Sequence, residues 1–171
     1  SQELILSKGI TSAIMNNEYF LNSKDIRYEK KIGQLSSENF TSLDDNEGNL
    51  LSAKNFKYFS LKKQLRAKGV EYFDINKDKY FIEDAYLDLV TKELYGKDIE
   101  TNFSNSAFGN SQNEPRMKGT KVYSNDKSTI ISKGIFTTCK KRDGCPPWVI
   151  TSSKAKHDKI KKRIIYENAW L

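Results

Sequence analysis

The chain has 171 residues, with 29 Lys and Arg against 22 Asp and Glu, for a net charge of +7 with its single histidine neutral. A chain of this length buries about 70% of its unfolded surface as one domain, so residues 1–171 are read as a single domain that needs no disulfide to fold. No apolar run approaches the ~20 residues of a membrane-spanning helix, and the opening SQELILSKGI has neither the basic start nor the apolar stretch of a signal peptide. A missing signal leaves the compartment open, because a mature or cloned fragment would have lost it.

In chain order, the elements repeat. An apolar residue is followed by others five, fourteen and nineteen positions later: Leu21, Ile26, Leu35 and Phe40 fit, then Leu51, Phe56, Leu65 and Val70. The opening segment places Ile5 and Ile10 in the last two slots of a preceding copy. Between second and third slots lies a polar tract, RYEKKIGQ in one copy and KYFSLKKQ in the next. A charged tract between short alternating segments is what a strand, turn, strand unit produces.

The third copy, Tyr80, Ala85, Leu94 and Ile99, contains a segment that argues for a helix: Leu87, Val90, Leu94 and Tyr95 have helical spacing and Gly96 stands like a C-cap. The repeat register overrides that reading and predicts strands. Residues 100–119 then break the pattern with Asn, Ser, Gly and Pro, and are expected to form a long loop, a plain surface insertion in preference to a mobile flap. The fourth copy is Met117, Val122, Ile131 and Phe136, and the fifth Ile150, Ala155, Ile164 and Ala169. Each unit is too small to bury its own apolar face, so the units must stack into a quasi-one-dimensional all-β architecture with two exposed edges.

Between the fourth and fifth copies stand the only two cysteines, Cys139 and Cys145. The residues alone leave three readings: a metal or redox site, a local staple, or thiols kept for another partner. Structural zinc usually takes four ligands and redox pairs prefer C-x-x-C at a helix start, so neither suits this pair. A staple would close a short loop worth roughly 2 kcal/mol and would require an oxidising compartment.

Residues 137–171 carry nine cations against Asp143, Asp158 and Glu167, a net +6 that suits an anionic lipid, membrane surface or nucleic acid. Catalytic chemistry finds no support. His157 sits among lysines, where cations oppose its protonation, and the adjacent carboxylates Asp44 with Asp45 and Glu83 with Asp84 point to opposite faces of a strand. There is no glycine-rich phosphate loop, and no cofactor or metal is expected.

Residues 132–171, SKGIFTTCKKRDGCPPWVITSSKAKHDKIKKRIIYENAWL, resemble the periplasmic N-terminal domain of the LPS-assembly family LptD, also called organic solvent tolerance or OstA-like proteins. The likeness runs through FTTC, Trp148, TSSKAK, the His157–Asp158 turn and ENAWL with Asn168 and Ala169. It covers about the last 40 residues; upstream, the repeats resemble the general OstA-like roll in spacing and style.

The resemblance implies a twisted, V-shaped β-jellyroll whose apolar groove shields lipopolysaccharide acyl chains and passes them to an outer-membrane β-barrel without catalysis. Phe40, Phe56, Tyr58, Leu65, Val70, Tyr72 and Phe136 would line the groove, each buried methylene of lipid contributing about 0.8 kcal/mol. Lys154, Lys156, Lys161 and Arg163 would meet lipid phosphates. The implied location is the periplasm, attached to the outer membrane. The implied partners are lipopolysaccharide, an LptA-like bridge protein on the N-terminal edge strand, and the protein's own barrel with its plug lipoprotein; the chain would be a fragment lacking that barrel. In the family the cysteine matching Cys139 pairs with barrel cysteines; Cys145 departs from that pattern and offers a local alternative. The rival readings are an LptA- or LptC-like bridge component, a polysaccharide-binding β-solenoid and, against the expectation of no nucleic-acid partner, a nucleic-acid binder.

Overall fold

Short alternating segments parted by polar tracts can bury one face only as strands, and strands form throughout. The computed structural model describes all residues except 1, 2, 16–18, 46, 47, 74, 76, 106–111, 142–145, 159 and 162, and the side chains of Ala13, Met15, Tyr19 and Asp45. Among the described residues thirteen strands make one antiparallel sheet: β1 (Leu4–Met15), β2 (Tyr19–Glu29), β3 (Gln34–Ser37), β4 (Thr41–Asp45), β5 (Leu50–Ala53), β6 (Asn55–Phe59), β7 (Gln64–Phe73), β8 (Lys79–Asp88), β9 (Glu93–Asn102), β10 (Arg116–Ser124), β11 (Ser128–Thr137), β12 (Ile150–Asp158) and β13 (Arg163–Glu167). No helix is present among the described residues.

The pairing is simpler than the strand count. Both β3 and β4 pair with β2, and both β5 and β6 pair with β7, so each couple is one long strand interrupted in its middle. Every strand is then bonded to its chain neighbours, a plain meander from β1 to β13. Consecutive hairpins are the shortest way to satisfy backbone groups in a chain with turn signals this close together.

Each interruption falls at the same level of the sheet. Gly9 and Gly69 have left-handed backbones there (φ +85° and +56°), as do Asp25, Asp98 and Lys133 (φ 53°, 50° and 50°). The ladders are interrupted at that level: β1 skips two residues between Ser7 and Ile10 where β2 skips one, and one residue is skipped on both strands from Lys68 to Val70 opposite Asp84 to Ile82 and from Ser132 to Gly134 opposite Lys154 to Ser152. A residue in the left-handed region breaks the pleat, bends the strand and reverses the side-chain alternation beyond it. The five-residue step of the repeat follows directly: an unbroken strand returns to one face after an even number of residues, and the break in the pleat supplies the odd one.

The result is a crease running across all the strands. One continuous core contains Phe56, Ala67, Val122, Ile131 and Ala155 from one side of it and Ala53, Val70, Ile82, Ile99, Met117 and Phe136 from the other, all buried. With strands alone to cover this face, the two halves of the sheet cover each other, giving an all-β, jellyroll-like roll. Small residues gather beside the crease. A Cβ on Gly96 would stand 2.6 Å from Ile82 Cγ2 and 2.9 Å from Val122 Cγ1, so only glycine fits where the halves converge.

Three hairpins use one turn device. Asp88 Oδ1 accepts from the N–H groups of Val90 and Thr91 (2.9 and 3.1 Å), Asn125 Oδ1 from Lys127 and Ser128 (3.0 and 2.9 Å), and Asp158 Oδ1 from Ile160 and Lys161 (3.2 and 2.9 Å). The first of these cancels the helical pattern of residues 85–99. Asp88 ends β8, Val90 is exposed in the turn, and in β9 Leu94 packs on the core while Tyr95 faces the opposite way.

The long loop expected over residues 100–119 is corrected at both flanks. β9 runs through Asn102 and β10 starts at Arg116. Between them Phe103 N–H donates to Pro115 O (2.9 Å), Ser104 N–H to Asp78 Oδ1 (2.7 Å) and Glu114 N–H to Thr138 O (3.1 Å), with Pro115 fully buried. Residues 106–111 lie outside the described residues.

Candidate functional site

On the inner face, one side of the crease carries a row of cross-strand partners that runs Leu21, Leu43, Leu51, Tyr72, Tyr80, Thr101, Met117, Phe136, Ile150. Eight steps between strands at about 4.8 Å make it roughly 38 Å long. On the other side, Tyr58 pairs with Leu65, Leu65 with Leu87 and Leu87 with Leu94. Near the crease the side chains are sealed: Phe56, Val70 and Phe136 keep 6%, 4% and 7% of their surface. Tyr58 and Leu65 pack on the core while remaining half-exposed, as does Leu51.

The expected groove residues are therefore brought to one face, with one exception. Tyr72, half-buried, stacks obliquely on Tyr80 at 5.8 Å and donates its hydroxyl to Asn49 Oδ1 (3.1 Å). Phe136 lies 6.4 Å from the Trp148 ring. Phe40 is instead 66% exposed: it stands in the interruption between β3 and β4, where alternation is lost. The slots at Ile5, Ile10 and Ala169 are exposed too, the first two on edge strand β1 and the last beyond β13.

The four expected phosphate contacts cluster around the β12–β13 hairpin, with Lys154, Lys156 and Arg163 on the opposite side of the sheet from the apolar row. Lys154 and Lys156 alternate with the buried Ala155, and Lys154 Nζ is 3.1 Å from Glu167 Oε1. Lys161 lies in the turn and Arg163 pairs with Asp158 at the start of β13. His157, in β12, is exposed and opposes Thr129 and Ile164.

Cys139 carries a free, half-buried thiol; Cys145 lies outside the described residues, and so does the bridge expected between them. The start of this connection is fastened without it. Thr137 Oγ1 donates to Trp148 O (2.9 Å) and accepts from Cys139 N–H (3.1 Å), while Arg116 Nη1 donates to Glu114 O (3.0 Å) and to Cys139 O.

The outer face holds a second site that the slot pattern does not mark. Lys57, Arg66, Lys68, Tyr86, Tyr95, Lys97, Lys121, Tyr123, Ile130 and Ser132 surround a concave cleft of about 740 Å³, floored by the strands at Ala67, Ala85, Gly96 and Val122. Tyr86, Tyr95 and Tyr123 form a cross-strand ladder with ring centroids 6.1 and 4.9 Å apart, tilted 53° and 46°. Arg66 lies 5.7 Å over the Tyr86 ring, a favourable cation–π contact. Tyr123 donates its hydroxyl to Glu93 Oε1 (2.6 Å), which raises its pKa; partial desolvation, with Glu93 close by, raises that of Tyr95. Both phenols therefore stay protonated donors. The signal in the sequence was an aromatic or lysine one place after an apolar slot: Lys57 after Phe56, Tyr86 after Ala85, Tyr95 after Leu94 and Tyr123 after Val122.

Among the described residues no group of three or more His, Cys, Asp and Glu side chains is arranged to hold a metal ion. Comparison of the chain with protein-family models and with curated proteins finds no match.

Proposed function

We propose that the chain is a periplasmic conduit domain of the LptD kind, which shields lipopolysaccharide acyl chains on its inner face and hands them to an outer-membrane barrel without catalysis. The observation that supports this reading is the apolar row spanning the sheet from β2 to β12 with half-exposed side chains along it. At roughly 38 Å it exceeds the length of an acyl chain, which spans about half of a ~30 Å bilayer core. Partial exposure lets methylenes exchange water for apolar side chains while the crease stays packed.

Two further features suit a relay. β1 is an edge strand with Leu4, Ile5, Leu6, Ile10 and Ile14 exposed, a surface on which an LptA-like bridge protein would extend the sheet. At the other end β13 offers the second free edge, towards the barrel and its plug lipoprotein. Lys154, Lys156 and Arg163, on the outer side of that end, and Lys161 in its turn would meet lipid phosphates after the acyl chains have passed the rim.

A photoreactive residue at Tyr72 or Tyr58 in cells is expected to crosslink to lipopolysaccharide, and one at Lys118 on the outer face is not. Equal yields at inner and outer positions, or none at either, would remove the reading. Strand-forming sequence following Leu171 in the gene would separate it from an LptA- or LptC-like bridge component.

A further inference from the structure

The outer cleft lies on the other side of the sheet from the apolar row, and the acyl-chain reading neither uses nor requires it. Its charge is one-sided: Lys57, Arg66, Lys68, Lys97 and Lys121 line it against Asp84 alone. Elsewhere on the outer face, lysines stand beside carboxylates of neighbouring strands, Lys79 with Glu71 at 3.2 Å and Lys118 with Glu100 at 2.8 Å. In the cleft a single carboxylate is shared: Asp84 faces both Lys68, whose Nζ is 4.0 Å away, and Lys97, while the pairs beyond it are of like charge, Lys57 opposite Arg66 and Lys97 opposite Lys121. Lys121 faces Lys97 on one side and Ser132 on the other. Like charges directly opposite on adjacent strands destabilise a sheet, and an anion seated between them relieves the repulsion.

The tyrosine ladder runs parallel to the row Lys68, Asp84, Lys97 and Lys121, one pleat further along the strands, so a linear ligand crossing β9 and β10 meets rings on one flank and ammonium groups on the other. Ring centroids 4.9 and 6.1 Å apart leave no gap for a nucleobase to enter, and their mutual tilt presents edges and hydroxyls in place of a flat stacking plane. Puckered sugar rings, with apolar C–H faces and hydroxyl rims, match such a surface. The volume of about 740 Å³ falls within the range of small-ligand sites.

We propose that this cleft binds an anionic oligosaccharide, with Tyr86, Tyr95 and Tyr123 contacting the sugar rings and Lys97 and Lys121 holding a carboxylate or phosphate between them. The full chain, isotopically labelled, is titrated with a galacturonate oligosaccharide, a phosphorylated mannan oligosaccharide, neutral maltohexaose and oligothymidylate. Amide shifts are expected to concentrate at residues 84–97 and 121–132 with at least one of the two anionic sugars, and which one assigns the anion. Lys121→Glu creates an attractive pair with Lys97, so it is expected to raise the thermal midpoint while weakening that binding by about tenfold or more. Tyr95→Ser is expected to weaken it with the midpoint nearly unchanged. No binding of either anionic sugar, equal affinity for maltohexaose, tighter binding of oligothymidylate, or binding indifferent to both variants would each overturn the proposal. None of these probes carries an acyl chain, so failure here leaves the crosslinking test of the inner face untouched.

Discussion

Ala85 and Tyr86 are chain neighbours in β8, yet they belong to surfaces governed by different constraints. The inner face of β7 to β12 meets a second layer of the same sheet, so side-chain volume is rationed there: Ala67, Ala85, Gly96 and Ala155 lie close to the crease, with larger residues further out. The outer face meets water, and accommodates tyrosines and long cations whose rings pack on each other with no layer above. The contrast teaches that shape selects residues on one side and chemistry on the other, with the break at the crease deciding which residues go where.

The sharpest way to break the comparison is to remove volume from each face. Ile82→Ala, at a side chain 4% exposed, is expected to destabilise the fold by about 2–5 kcal/mol in urea denaturation, against less than about 1 kcal/mol for Tyr95→Ala on the outer face. Comparable losses would mean that the outer ladder is part of the core. Adding volume is the next test. Gly96→Ala drives a methyl into Ile82 and Val122 and is expected to cost about 1–3 kcal/mol, and Ile82→Val in the same chain should recover part of it.

The crease itself can be probed at Asp98, whose φ of 50° is uncomfortable for a side chain. Asp98→Gly is expected to leave stability unchanged or raise it by up to about 1 kcal/mol, whereas Asp98→Val should lower it by about 1–2 kcal/mol, since a β-branched residue resists the left-handed region. A neutral valine would show that the left-handed backbone at Asp98 carries no strain.

The smallest effect concerns the hairpins. Asp88 and Asp158 both have lowered pKa values, chiefly because backbone N–H groups, of Thr91 and of Lys161, bond their carboxylates. Groups depressed in this way contribute stability above the ordinary aspartate value of 3.8, and lose it as pH falls through the folded value. The thermal midpoint is therefore expected to decline on acidification from about pH 5 to about pH 2.5, with a shallower slope in Asp88→Ala with Asp158→Ala. An unchanged slope would show that these turns do not sense pH.

Much of the inner face was legible in advance. The step of five between apolar slots is a local property, imposed by the break in each strand at the crease, and so it survives in the sequence as a repeat at Leu21 and Ile26 or Ile131 and Phe136. Phe40 escaped that logic because its slot falls within the interruption, where a side chain can turn either way. The outer cleft was not legible as a site. Its members lie on six strands, and neither Lys97 opposite Lys121 nor Tyr95 beside Tyr123 can be recognised before register pairs them.

The amino-acid pattern by itself determined that this chain is all-β and that its strands follow one another through polar turns, because alternation and turn chemistry act between residues close in the chain. Tertiary structure alone decided which half-sheet covers which, why glycine stands at position 96, and that five cations and three tyrosines converge on a single concavity. Those outcomes depend on the summed register of many strand pairs, and a one-residue slip in any of them would turn every side chain of that strand to the other face.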